Sequence, residues 1–576
     1  MSAAPETGAT NADATVARLR TRLAGLYGAE RGAELAARLA AGAARFRAAH
    51  PALAASRHLP QAPVLITYGD QIASPGRPAL AALGDWLECN VGDAIGAVHV
   101  LPFCPYSSDD GFSVIDYRAI DPELGTWDDV AALAGRYTLM ADLVLNHVSA
   151  ESAWFQGFLA GEAPYRDWFI VVDEGTDLSG VTRPRTTPLT HRFETTEGPR
   201  DVWTTFSADQ IDLNFANPDV LAEIADVLLF YVANGARLIR LDAVTYVWKR
   251  LGSTCADLAE THNVVAALRD VLDLAAPGVL IVAETNVPHE TNISYFGDGA
   301  HEAQMVYQFA LPPLLLDAVY RGDATRLAAW ARTLAPPSDD CCFFNITATH
   351  DGIGVRGAQG WMTPEEVAGL ADAVRARGGL VSSRRTEDGG ETPYELNITF
   401  FDALLPPGAD PADPESIERY LTAQAVALSL AGVPGVYVHN LFGTRSHHEG
   451  LAGKDTTLTE FKRLVNRRKF SAAELDALLT DASTRETVIF RRHLDLLLAW
   501  RAEPAFAPTT AQRVLNLDPA VLAIERDGTL LCLHNLGDAD RTLTLPDERR
   551  DLLTGAVHAG GDFTLPARRM AWLKRT

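Results

Sequence analysis

The segment ARLIRLDAV, residues 236–244, sets the reading of the whole chain. It is a short, mostly apolar run that ends in polar residues, the pattern of a strand covered on both faces in a parallel sheet. Seven further segments share this character: VLITYGD (64–70), IGAVHVLP (95–102), LMADLVLN (139–146), LIVAETN (280–286), QMVYQF (304–309), CCFFNITATHD (341–351) and GVPGVYVH (432–439). Each is followed by a loop and a helical stretch. Eight such units favour a closed α/β barrel over an open doubly wound sheet, so the expected fold is a (β/α)8 TIM barrel.

Working outward from these strands, two connections exceed an ordinary strand-to-helix loop. One runs over 147–216 after the third strand and carries the Pro/Arg-rich piece VTRPRTTPLTHRF; the other runs over 352–405 after the seventh. Long insertions at the carboxyl ends of barrel strands build substrate sites. Before the barrel, Leu19, Leu23, Leu26 and then Leu35 and Leu39 recur at helical spacing, broken at Tyr27-Gly28, which predicts two helices packed on the larger body. Residues 1–12 are small and polar and are expected to fray. From about 507 the chain alternates short β-type segments (AVLAIER, TLLCLHNL, RTLTLP, MAWLKR), which predicts a small antiparallel β domain. The expected organisation is an N-terminal helical extension (1–60), barrel parts at 61–146, 217–351 and 406–506, an inserted domain at 147–216, a second insertion at 352–405 and the C-terminal β domain at 507–576.

Composition excludes several classes of function. The chain has 576 residues, 47% hydrophobic and 22% charged, with a formal net charge of −24. So acidic a surface repels nucleic acid and anionic membrane, and neither is an expected partner. An anionic substrate then needs a local basic site, and arginines in the insertions stand out for that reason. The six cysteines form no CxxC pair and read as small core residues in a reducing compartment. No apolar run reaches the ~18 residues of a membrane span, and the N-terminal stretch MSAAPETGATNADATVARL has no apolar core of a secretory signal. The expected location is cytoplasmic.

The ends of the strands carry the chemistry. The third ends in Asn146-His147, the fourth in Arg240-Leu241-Asp242, the fifth in Glu284-Thr285-Asn286 and the seventh in His350-Asp351. Carboxyl ends of barrel strands are where catalytic groups sit. A single acid there reads as a cap or a satisfied ion pair; three acids and two histidines at four strand ends do not. Three carboxyl groups suit glycosyl transfer: one attacks the sugar carbon, and one protonates the leaving oxygen and later deprotonates the acceptor. Arg240 lies two residues before Asp242, so both side chains leave one face of the strand, and the guanidinium favours the ionised carboxylate that a nucleophile needs. Glu284, on the next strand, serves as acid/base if its surroundings raise its pKa.

The segments HVLPFCPYSSDDGF, DLVLNHVS, RLIRLDAV, VAETN and ATHDG resemble those of the α-amylase superfamily, glycoside hydrolase family 13. GFSVIDYRAIDPELGTW, DWFI, RPRTTP, VWTTFSADQIDLNF, GIGVRG and PYELNITFFDAL resemble its sucrose-phosphorylase branch, over residues 61–500. The resemblance implies Asp242 as nucleophile, Glu284 as acid/base and Asp351 as the acid that holds sugar hydroxyls. It implies His147, Arg240 and His350 around the donor sugar, with Asp109 of SDDGF and Arg467 of VNRRKF gripping the terminal glucose from its far side. It also implies a small glucoside and inorganic phosphate as the partners, and no metal or organic cofactor. Arg183 and Arg185 flank Pro184; as a phosphate clamp, for which guanidinium is suited, the resemblance favours Arg185.

The acceptor is read from departures. Sucrose phosphorylases of the branch carry a Tyr-Gln-Val-Asn-like segment where this chain has Tyr394-Glu395-Leu396-Asn397, and they lack the helical extension. Both differences resemble branch members acting on glucosylglycerate, with sucrose, sucrose 6-phosphate and glucosylglycerol as alternatives. Arg384 or Arg385 is the expected partner of the glycerate carboxylate, beside Tyr394 and Glu395. A hydrolase or isomerase on the same barrel would share the three acids and differ in its acceptor. A non-catalytic barrel is disfavoured because Asp242, Glu284 and Asp351 are all present.

Overall fold

A computed structural model describes residues 7–386 and 389–576. Eight parallel strands close into a barrel: β1 (Val64–Thr67), β2 (Ala97–Val100), β3 (Thr138–Val144), β4 (Ala236–Asp242), β5 (Leu280–Ala283), β6 (Met305–Tyr307), β7 (Cys342–Ile346) and β8 (Val433–Tyr437). Each pairs with its sequence neighbours, and β1 closes the ring by pairing with both β2 and β8. Every residue of β1, β2, β5, β6, β7 and β8 is buried, as expected when side chains fill the interior on one face and helices cover the other. The helix over Pro218–Ala233 illustrates the outer layer. Asn217 caps it through the backbone N–H of Asp219, Pro218 occupies a position that needs no N–H donor, and ten of its residues are buried.

The N-terminal extension is a helical hairpin, α1 (Thr7–Tyr27) and α2 (Ala29–Ala49). Gly28 separates them at φ 82°, a conformation that costs other residues but not glycine. Leu19 and Leu23 are fully buried, each contributing ~1.5–3 kcal/mol relative to exposure. The hairpin docks on the barrel helix Ala259–Ala275, where Arg18 and Arg22 pair with the buried Asp270 at 2.9 and 3.0 Å. Tyr27 Oη donates to the backbone oxygen of Phe215. Of residues 1–12, expected to fray, Thr7 onward is helical and residues 1–6 lie outside the described residues.

The first insertion is tied to the barrel by His147–Ser149, antiparallel to Gln210–Asp212, and carries a hairpin of Thr190–Thr195 with Gly198–Trp203. The second contains a three-stranded sheet in which Glu391–Asn397 lies between Ile353–Gly354 and Leu380–Arg385. The C-terminal region forms a six-stranded antiparallel sheet and a separate two-stranded one. It contains strands missed by the sequence reading, at Gln512–Asp518, Arg549–Asp551, Val557–His558 and Gly561–Leu565, because these short or polar segments lack a continuous apolar run. Five cysteines are buried, while Cys89 is exposed on the helix Ala79–Asn90. Among the described residues no helix is long and apolar enough to cross a membrane.

Candidate active site

At the carboxyl end of the barrel the ladder brings three strands into step. Asp142 of β3 and Val282 of β5 both lie opposite Arg240 of β4. Arg240 is therefore held between neighbours that share its face. Its guanidinium contacts Asp142, which in turn contacts His99 at 2.6 Å, and reaches Asp242 at 2.7 Å and Glu284 at 3.9 Å. Burial works against the charge of Arg240, yet Asp142 and Asp242 hold it cationic, well above the ordinary guanidinium range. Just past the strand, Ala243 takes the left-handed conformation at φ 51° and donates its backbone N–H to Glu284 Oε2 at 3.0 Å. A non-glycine residue in that region is uncommon, and here it joins the two acids.

Five carboxyl groups line the resulting cavity, and their surroundings separate the three at the strand ends, Asp242, Glu284 and Asp351. Glu284 is pushed up to about 7, chiefly by burial and further by the charge of Asp242, against the pull of Arg240. Asp242 is raised above the ordinary carboxylate value by burial, with Arg240 opposing. Burial acts the same way on Asp351, but Arg463 and Arg467 outweigh it and lower the pKa. A carboxyl that holds its proton near neutrality beside one whose pKa is lowered is the pattern of an acid paired with an ionised partner.

One side of the cavity is an ion network. Arg467 reaches Asp109 at 3.0 Å, Asp110 at 2.8 Å and Asp351 at 3.1 Å; Arg463 reaches Asp109 at 2.8 Å and Asp351 at 3.0 Å. Asp109 and Asp110 both sit at φ 49°, so the turn that presents them is held against its own preference. His350 stacks on Phe112 at 4.9 Å and lies 3.3 Å from Asp351. Burial, with the nearby arginines, holds its imidazole far below the usual histidine range, and so neutral. His147 Nε2 is 2.8 Å from the backbone oxygen of Phe112, and its neighbour Asn146 donates to Asp212 in the first insertion.

The insertions supply the opposite side. Arg185, 8% exposed, lies over Phe206 at 5.5 Å and Tyr394 at 5.3 Å and approaches Glu395 at 3.5 Å. Glu395 is buried and grips Arg463 through two contacts of 2.7 and 3.1 Å. Arg384 and Arg385, expected at this acceptor side, line a different cleft together with Arg183. The hairpin register accounts for the difference: they lie opposite Thr392 and Glu391, up the strand from Tyr394 and Glu395. Arg463, which the sequence reading missed, does line the cavity. The signal available was its place four residues before Arg467, in the run Arg463-Leu464-Val465-Asn466-Arg467. Asp142 was missed as well; it is visible only once β3 is set against β4. Among the described residues no group of three or more His, Cys, Asp or Glu side chains is arranged to hold a metal ion.

The α-amylase catalytic-domain family matches residues 94–332. A glucosylglycerate phosphorylase of Allomeiothermus silvanus is 47% identical over 510 residues, covering 88% of this chain and 90% of that protein. The chain belongs to the phosphorylase branch of the α-amylase family. A sucrose phosphorylase of Agrobacterium vitis in this branch is 33% identical, over 77% of this chain and 88% of its own length. The barrel of the family is also seen in the sucrose 6F-phosphate phosphorylase of Thermoanaerobacter thermosaccharolyticum, with a TM-score of 0.73 at 24% identity over 89% of this chain and all of that one.

Proposed function

We propose that this enzyme transfers a glucosyl group from glucosylglycerate to phosphate by double displacement, giving α-glucose 1-phosphate and glycerate. The observation that carries the reading is the pair Asp242 and Glu284, both facing Arg240, with the N–H of Ala243 donating to Glu284 and Glu284 pushed up to about 7. Asp242 attacks the anomeric carbon while Glu284 gives its proton to the departing glycerate oxygen. An oxygen of phosphate then attacks the anomeric carbon from the face that glycerate left, the bond to Asp242 breaks, and the proton on the attacking oxygen passes to Glu284. Asp351, His147 and His350 surround the donor sugar, and Asp109 with Arg467 closes its far end.

Arg185 is the cation offered to phosphate and to the glycerate carboxylate in turn, since both anions occupy the acceptor side. Glu395 would repel a carboxylate if its charge stood alone. Its pairing with Arg463 and its approach to Arg185 offset part of that charge, which lets an anionic acceptor lie beside it. The glucosylglycerate phosphorylase named above, 47% identical against 33% for the sucrose phosphorylase, supports this choice. The experiment is reverse synthesis from α-glucose 1-phosphate with glycerate, glycerol, fructose and fructose 6-phosphate. Glycerate is expected to have the highest kcat/KM; a better neutral or fructose acceptor overturns the assignment of the acceptor.

A further inference from the structure

Lys249 has no part in the reaction described above, yet its side chain is only 4% exposed. It lies beyond the carboxyl end of β4, in the loop that begins with Ala243 and carries Thr245 and Tyr246 into the cavity. Its ammonium pairs with Asp212 of the first insertion and donates to Asn146 Oδ1 at 2.7 Å. Burial lowers the pKa of Lys249, and Asp212 works against that shift. A buried ammonium is costly to keep. As a tie between insertion and barrel alone, a buried ion pair can be replaced by apolar side chains of similar volume, often with no loss of stability. What the ammonium adds is direction.

That direction passes to a residue of the cavity. An ammonium only donates, so the atom of the Asn146 amide that faces it is the oxygen. The amide nitrogen is then turned to Asp212 Oδ2 at 2.9 Å and to His147 Nδ1 at 3.2 Å. Asp212 is itself held in place, since it accepts from the backbone N–H of Thr205 at 2.6 Å and from its hydroxyl at 2.7 Å. An amide N–H that faces His147 Nδ1 needs a bare nitrogen there, which puts the ring hydrogen on Nε2. The other end of the ring agrees: Nε2 lies 2.8 Å from the backbone oxygen of Phe112, an acceptor. Gln210 Nε2 donates to the same oxygen at 3.2 Å and lies 3.2 Å from His147 Nε2. The opposite tautomer would accept from Gln210, but it would set ring N–H against amide N–H at one end and a bare nitrogen against a carbonyl oxygen at the other. His147, Gln210 and Phe112 all line the cavity.

We propose that Lys249 is a positioning residue of the active site: through Asn146 it fixes the orientation and the tautomer of His147, with the hydrogen on Nε2. The effect on rate rests on the reading above that His147 faces the donor sugar; the effect on the tautomer does not.

The test is a double-variant cycle read with glucosyl fluoride. Lys249→Met and His147→Gln are each expected to lower kcat/KM by about tenfold or more, and the two together by no more than the larger single loss. Losses that multiply would show that Lys249 acts apart from His147 and would overturn the proposal, as would a Lys249→Met enzyme with unchanged kcat/KM beside an impaired His147→Gln. If Lys249→Met does not fold, judged by its thermal transition, Lys249→Met combined with Asp212→Asn takes its place, since it leaves no lone buried charge. The tautomer is read by NMR of isotopically labelled histidine nitrogens, with the His147 signals identified by their loss in His147→Gln. Wild type is expected to show hydrogen on Nε2, and the Lys249 variant a mixture of tautomers. If His147→Gln leaves the rate unchanged, the placing of His147 at the donor sugar is wrong, and the nitrogen signals alone decide: the same single tautomer with and without Lys249 overturns the proposal.

Discussion

On one side of the catalytic cavity, Arg240 and Asp242 stand on β4 and Glu284 directly follows β5, so the pairing of the two strands sets their spacing. On the other, Arg185 and Glu395 arrive from insertions 210 positions apart and meet through charge. The first wall stands on strands that are covered on both faces and paired with a neighbour on either side. The second is assembled from loops whose relative position depends on Glu395, Arg463 and Arg185 finding one another. Reaction chemistry, which needs groups held to fractions of an ångström, is drawn from the first wall; choice of acceptor is drawn from the second. If this division holds, substitutions in the first wall damage every substrate, and substitutions in the second damage only acceptors.

The largest effect is expected at the first wall. Asp242→Asn keeps the shape of the side chain but removes the nucleophilic carboxylate, and is expected to lower kcat by about four orders of magnitude or more. Unchanged far-ultraviolet circular dichroism would show that the barrel survives. Glu284→Gln comes next. Loss of a general acid costs ~10²–10⁴-fold with glucosylglycerate. Glucosyl fluoride, whose leaving group needs little protonation, should lose far less. An equal loss with both donors would remove Glu284 from the acid/base role.

The second wall is expected to answer more gently. Arg185→Ala forfeits a charge-assisted hydrogen bond of ~1.5–3 kcal/mol, which is about ten- to a hundredfold in affinity for phosphate and for glycerate. Hydrolysis of glucosyl fluoride, which uses neither anion, should stay near the wild-type rate. A comparable drop in that hydrolysis would erase the distinction between the walls. The smallest effect is that of pH. The folded pKa of Glu284 is raised to about 7, so its acid form is present below that value and is lost as pH rises through it. Phosphorolysis of glucosylglycerate should decline above pH 7, by up to about tenfold per unit, and glucosyl fluoride should decline less steeply. A glucosylglycerate profile flat from pH 6 to 9 would contradict that assignment.

The contrast between the walls also explains what the sequence discloses. Strand-end residues such as Asp242 and Glu284 are legible because a buried strand is a continuous apolar run, and the polar residue that ends it is marked by that run. The same holds for His350 and Asp351 after β7. Arg384 and Arg385 were misdirected because position in a loop does not reveal register. The hairpin of Leu380–Arg385 with Glu391–Asn397 has an irregularity between Ser382 and Ser383, and which cleft each side chain meets follows from that pairing. Asp142 looks like an ordinary strand residue until β3 is aligned with β4. The helical hairpin at the N-terminus was readable from its leucine spacing and Gly28, whereas its dock on Asp270 was not, because an ion pair between residues 252 positions apart leaves no local pattern.

The central claim is that Asp242 carries the glucosyl group between the two half-reactions, and it is tested most directly by trapping. Glu284→Gln is loaded with glucosyl fluoride in the absence of phosphate, quenched in acid, digested and mapped by mass spectrometry. The expected result is one hexosyl group, on the peptide that contains Asp242, which disappears when phosphate is added and yields α-glucose 1-phosphate. A hexosyl group on another residue, or release of β-glucose 1-phosphate from an enzyme that never becomes labelled, would contradict the account.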